Sequence, residues 1–84
     1  MKVKTCKSLS GRSTLSYVVE GDMLRIVGNS SGGVFSPDAV SLDAIKGHPT
    51  AQSLQGLFKG KSLNNAGFAL AAYYDHQRWV DEAA

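Results

Sequence analysis

Leu15-Ser16-Tyr17-Val18-Val19-Glu20-Gly21-Asp22-Met23-Leu24-Arg25-Ile26-Val27 is the stretch that decides the fold. Leu15, Tyr17 and Val19 stand two apart, with Ser16, Val18 and Glu20 between them, and Leu24 and Ile26 alternate in the same way with Met23, Arg25 and Val27. A period of two puts one set of side chains on each face of an extended strand, so the spacing predicts two strands. Between them lies a Gly-X pair, Gly21-Asp22, which suits a tight two-residue hairpin turn with glycine where φ must be positive.

Working outward, Ser10-Gly11-Arg12-Ser13 is a loop signal. Lys2 to Leu9 therefore reads as a first strand, weakly patterned and rich in lysine, as edge strands often are. Downstream, Asn29-Ser30-Ser31-Gly32-Gly33 is a loop leading to a short extended piece at Val34-Phe35. Ser36-Pro37-Asp38-Ala39 carries three helix-start signals: a serine cap, proline at the first position and an acid in the first turn. Val40, Leu42 and Ala44 alternate as in a strand, yet Val40, Ala44 and Ile45 also share a helical face. The expectation for this segment is one turn followed by an extended stretch.

Gly47-His48-Pro49 breaks the chain, and Thr50 can cap a short helix over 51–58 that buries Leu54, Leu57 and Phe58 before Gly60 ends it. Asn64 or Asn65 is expected to cap the main helix, which runs from about 65 to 81. Its first half, Ala66 to Tyr74, is apolar nearly all round and should pack on more than one side. Phe68, Ala72 and Trp79 fall near one stripe, so the tryptophan is expected to close the end of the core, with an exposed interface anchor as the alternative. The fold class is α+β: an antiparallel meander of three to four strands over residues 2–36, packed against the main C-terminal helix with a short helix before it.

The 84 residues allow a single domain, 1–84, and 43% apolar against 19% charged side chains is globular rather than disordered composition. A core this small often leans on a partner, so homodimerisation is a further option. Cys6 is the lone cysteine, which excludes an intrachain disulfide and suits a reducing compartment. The basic start has no apolar stretch behind it to form an export signal. The nine-residue apolar run of Ala66–Tyr74 falls well short of the ~20 residues needed to span a bilayer. These features point to a cytoplasmic protein without a membrane partner.

Net charge is +2, distributed in blocks. Residues 1–12 hold Lys2, Lys4, Lys7 and Arg12 with no acid, and residues 44–74 hold Lys46, Lys59 and Lys61 with none. If the first strand lay beside the Lys59–Lys61 turn, these cations would share one surface able to hold phosphates. The plainer reading is solubility and protection of an edge strand.

No motif identifies a reaction. Gly56-Leu57-Phe58-Lys59-Gly60-Lys61-Ser62 ends like a phosphate-binding loop, but three residues separate its glycines where four are needed, and a helix rather than a strand precedes it. A helix-terminating turn explains it as well. The serine-glycine run after Asn29 could cradle an anion, though loops have this composition for conformational reasons alone. Cys6 between Lys4 and Lys7 could carry an activated thiol, against which a strand cysteine is usually a small buried hydrophobe. His48 and His76 form no ligand pair at helical spacing, His76 reads as a solvated or rim residue, and the seven acids are spread along the chain. No cofactor and no metal site are expected.

Two functions fit. The first is a non-catalytic protein-binding module or modulator, with Trp79, Tyr74 and Tyr73 as partner-binding residues. Its size class includes compact modulators encoded by mobile elements, inhibitors of host defence among them. The alternative is nucleic-acid binding through Lys2, Lys4, Lys7, Arg12, Lys59 and Lys61, weakened by the lack of aromatics among those cations. A minimal enzyme using Cys6 or His76 is a third reading.

Overall fold

The structure, a computed structural model, describes residues 3–30, 39–58, 60 and 62–83. The expected extended piece at Val34-Phe35 and the helix start at Ser36-Pro37-Asp38 lie outside them.

The hairpin forms as its alternation requires. Strand β2 (Thr14–Glu20) pairs antiparallel with β3 (Met23–Asn29), and Glu20 faces Met23 across the turn. Gly21 sits at φ 62°, the left-handed region where an L side chain is strained. The pairing carries one irregularity: Ser16 faces Gly28 but Tyr17 faces Ile26, so Val27 is an extra residue bulged out of the ladder, and its side chain is exposed.

Strand β1 (Lys4–Lys7) pairs antiparallel with β2 and forms one edge of the sheet. It is shorter than the expected 2–9, because the chain leaves the strand at Ser8. That buried side chain accepts from the Ser13 amide at 3.2 Å, while the Ser8 amide donates to the Ser13 carbonyl at 2.8 Å.

The fourth strand is β4 (Val40–Ser41), paired with β3 and giving the sheet order β1-β2-β3-β4. Of the extended stretch expected here only Val40 and Ser41 are strand, and the residues after them are helical instead. Helix α1 (Leu42–Gly47) begins at Leu42 because Ser41, itself extended, accepts from the Ala44 amide at 3.0 Å. That cap, with Asp43 in the first turn, turns Leu42, Ala44 and Ile45 helical where alternation suggested a strand.

Thr50 caps α2 (Ala51–Leu54) in a reciprocal box with Ser53, as expected. The α-helix then tightens into a 3₁₀ turn at Gln55–Leu57 instead of running to 58. The i, i+3, i+4 face that would have buried three residues is therefore lost. Leu54 and Phe58 are buried, but Leu57 is 47% exposed. Helix α3 (Leu63–Ala83) starts earlier than expected, since Ser62 rather than Asn64 or Asn65 accepts the capping bond, from the Asn65 amide at 3.2 Å.

The sheet and the helices form two layers around one core. Tyr17, Leu24, Ile26 and Val40 meet Ile45, Leu54 and Phe58 from the short elements and Ala66, Ala69, Leu70 and Ala72 from α3. The alanines let the long helix lie close to the strands. Val18, on the opposite sheet face, is buried too. Among the described residues, no helix is long and apolar enough to cross a membrane.

Candidate functional site

A buried tyrosine brings an apolar ring and a hydroxyl that needs a partner. Tyr17, on the inner face of β2, finds one across the fold: its Oη donates to Asp75 Oδ2 at 2.6 Å. Arg78, one helical turn on, donates from Nη2 to Asp75 Oδ1 at 2.8 Å. Both oxygens of a carboxylate whose side chain is only 7% exposed are thus engaged, while Arg78 reaches solvent at 68%. Burial first, then the hydrogen bond to Asp75 and that group's charge, hold the Tyr17 phenol well above its ordinary value of 10.

Asp75 and Arg78 also line a groove of about 520 Å³ between β1 and α3, whose walls include Thr5, Cys6, Lys7, Leu9, Ala71 and Tyr74. Cys6 is half-buried there. Burial pushes its thiol up from 9.0 to about 11, with Asp75 adding to the rise and Arg78 opposing it. The activated thiol considered from the flanking lysines is therefore corrected: near neutral pH this is a protonated thiol and a poor nucleophile.

The other flank of α3 differs. His76 shares a smaller groove of about 370 Å³ with Lys4, Val19 and Gly21, and its Nδ1 is buried without a hydrogen-bond partner among the described residues. Burial, then the nearby Lys4 charge, hold its pKa below 6.5, with Asp75 pulling the other way. It is half-buried rather than solvated. His48 serves locally: its Nδ1 lies 2.9 Å from the Ala44 carbonyl, so in this contact Nδ1 donates and closes the end of α1.

Trp79 does not close the core. It is 45% exposed at the rim, with Lys4 Nζ 4.6 Å from its ring centroid. The helix reaches the edge strand at that point, and among the described residues no further strand lies beyond β1 to cover the ring. Tyr74, 51% exposed, leans the other way, and its hydroxyl donates to the Pro49 carbonyl at 3.4 Å. Tyr73 packs half-buried against the core and meets Tyr74 edge-on at 5.9 Å. The three aromatics are thus spread around α3 rather than gathered on one patch.

Of the six candidate nucleic-acid-binding cations, Lys2, Lys59 and Lys61 lie outside the described residues. Lys4 faces α3, Lys7 points to the opposite sheet face with Nζ 3.3 Å from Thr14 Oγ1, and Arg12 is exposed in the β1–β2 loop. Positions 4 and 7 differ by an odd number, so a strand cannot present both on one face. Gly60 has φ 72°, but it does not end the short helix as expected: the 3₁₀ turn stops at Leu57 with extended Phe58 as its C-cap. Among the described residues, no cluster of three or more His, Cys, Asp or Glu could hold a metal.

Sequence reasoning missed the Tyr17–Asp75 contact. The signals were a tyrosine on the buried face of a strand and an Asp75/Arg78 pair at i, i+3 on a helix otherwise poor in charge; neither names the other across 58 positions. Comparison of the chain with protein-family models gives no match, and comparison with curated proteins and with solved structures gives none either.

Proposed function

We propose that this chain is a small non-catalytic protein-binding module that acts by occupying a surface of a larger partner. The observation that carries the reading is Trp79, which stays 45% exposed on a well-packed helix while Lys4 lies over its ring. An aromatic ring half out of water and already held by a cation loses little freedom on binding, and such rings are frequent interface anchors. The groove chemistry supports the non-catalytic part: Cys6 keeps its proton, and both oxygens of Asp75 are engaged by Tyr17 and Arg78.

The test compares immobilised wild-type and Trp79→Ala chains as baits in a nuclease-treated lysate of cells that make the protein. The wild type should retain a protein at both about 50 and about 200 mM salt, a range over which phosphate contacts would be lost. Trp79→Ala should weaken that retention about tenfold or more, as for an anchor residue. Retention that collapses with salt would transfer the function to nucleic-acid binding, with Lys4, Lys7 and Arg12 the residues to mutate next.

A further inference from the structure

Strand β1 is an open edge, and the pairing shows which backbone groups it leaves free. The Ser8 amide donates to the Ser13 carbonyl at 2.8 Å, in the same register that sets Cys6 against Leu15 and Lys4 against Tyr17. Hydrogen-bonded pairs alternate along an antiparallel ladder, so Lys4, Cys6 and Ser8 bond inward to β2, and the N–H and C=O of Thr5 and Lys7 point outward. Among the described residues these outward groups have no backbone partner. Beside that edge lies the groove of about 520 Å³ under Cys6, Leu9, Ala71 and Tyr74.

We infer that an extended, acidic peptide segment of a partner protein adds to β1 as a fifth strand, with alternate side chains entering the groove between β1 and α3. The inference rests on the protein-binding reading and names the chemistry of the partner. Strand addition takes its affinity from main-chain bonds and its selectivity from pockets for every second side chain. A residue opposite Cys6 points, like Cys6, toward α3, where Ala71, Tyr74 and Leu9 favour a mid-sized apolar group. Residues opposite Thr5 and Lys7 point to the other sheet face, beside the Lys7 ammonium.

The charge selects the occupant. Residues 1–12 carry four cations and no acid, and of the charged groups lining the groove Asp75 and Arg78 pair with each other, which leaves Lys7. A second copy of this chain would set two segments of charge +4 side by side, which their mutual repulsion disfavours. An acidic segment answers both the free backbone and the charge.

The test uses the full chain and a capped heptapeptide alternating glutamate and valine, with a lysine–valine counterpart as control. The glutamate peptide should bind at least about fivefold more tightly, the side chains opposite Thr5 and Lys7 having changed sign beside the Lys7 ammonium. Its binding should slow hydrogen exchange at the Thr5 and Lys7 amides. N-methylation of its glutamates, whose amides face β1, should abolish binding, while N-methylation of its valines should leave it. On the protein side, Thr5→Pro removes one outward N–H without touching the β1–β2 ladder and should prevent binding. Lys7→Glu, in case proline disturbs the strand, should weaken binding about fivefold or more.

Equal binding of the two peptides, indifference to glutamate N-methylation, no binding at all, or no protection at Thr5 and Lys7 would each overturn the inference. Protection that grows with protein concentration in the absence of peptide would overturn it in favour of a second copy. None of these outcomes bears on capture through Trp79, which lies outside the groove, so strand addition can fail while the protein-binding reading stands.

Discussion

Asp75 and His76 are neighbours in sequence, about 100° apart around the same helix, and they meet opposite surroundings. On one flank of α3, Asp75 receives a bond on each oxygen, from Tyr17 and from Arg78. On the other, His76 shares its groove with Lys4, and its Nδ1 has no partner among the described residues. A carboxylate can be kept largely out of water where each oxygen has a donor, whereas a buried imidazole with a cation nearby favours its neutral form. The first flank ties β2 to α3 across 58 residues, and the second leaves its tryptophan at the rim. The difference separates a flank whose buried polar groups are matched from one whose buried nitrogen is not.

Alanine replacement at the two neighbours tests that separation most severely. Asp75→Ala leaves the buried Tyr17 hydroxyl without an acceptor and should lower unfolding stability by about 2 to 3 kcal/mol. Tyr17→Phe removes the donor but leaves Asp75 its Arg78 bond, and should cost about 1 kcal/mol. His76→Ala removes a group with an unmatched nitrogen and should cost less than either. Urea unfolding of the three variants provides the measurement. A loss for His76→Ala equal to that for Asp75→Ala would break the comparison.

The same contrast explains what could be read in advance. The β2–β3 hairpin was legible because Leu15, Tyr17, Val19, Leu24 and Ile26 carry one period without a competitor and Gly21 marks the turn. Residues 40–46 were not, since they satisfy both periods, and a single cap bond from the Ala44 amide to Ser41 decides the outcome. The bulge at Val27 hid behind intact alternation, although Gly28 inside the strand was a signal for it. The α3 cap was ambiguous among Ser62, Asn64 and Asn65, all good cap residues within one turn. The site was less legible than the fold for a physical reason. Its elements are the edge of a sheet and the two flanks of a helix, and both depend on how α3 lies across the strands, which no local pattern encodes.

Cys6 sharpens the first flank. A thiol raised to about 11 should react with iodoacetamide slowly at neutral pH, the rate climbing to an inflection near that value rather than near 9.0. Since the folded state holds the proton more tightly than the unfolded chain, the thiol's contribution to stability is complete below about 9 and is lost as pH rises toward 11. Cys6→Ala should flatten that part of the stability profile. An inflection below the ordinary thiol value would mean that Arg78 outweighs burial and Asp75, and the groove would regain a candidate nucleophile.

The gentlest test acts on the second flank. His76 should titrate below 6.5, because its neutral form is the one the folded state favours. Its contribution to stability is therefore complete above that value and is lost as pH falls below it, when the unfolded chain takes up the proton first. Lys4→Met removes the nearby charge, the second cause of the depression, and the His76 ring resonances followed by NMR should then titrate closer to the ordinary value. They should not pass it on that account alone, because burial remains the larger cause. The same variant takes the cation off the Trp79 ring, so its fluorescence should shift while the stability change stays within about 1 kcal/mol. If the midpoint stayed put while the fluorescence moved, Lys4 would be acting on the tryptophan alone. The low pKa of His76 would then belong to burial, and the two flanks would differ in packing rather than in charge.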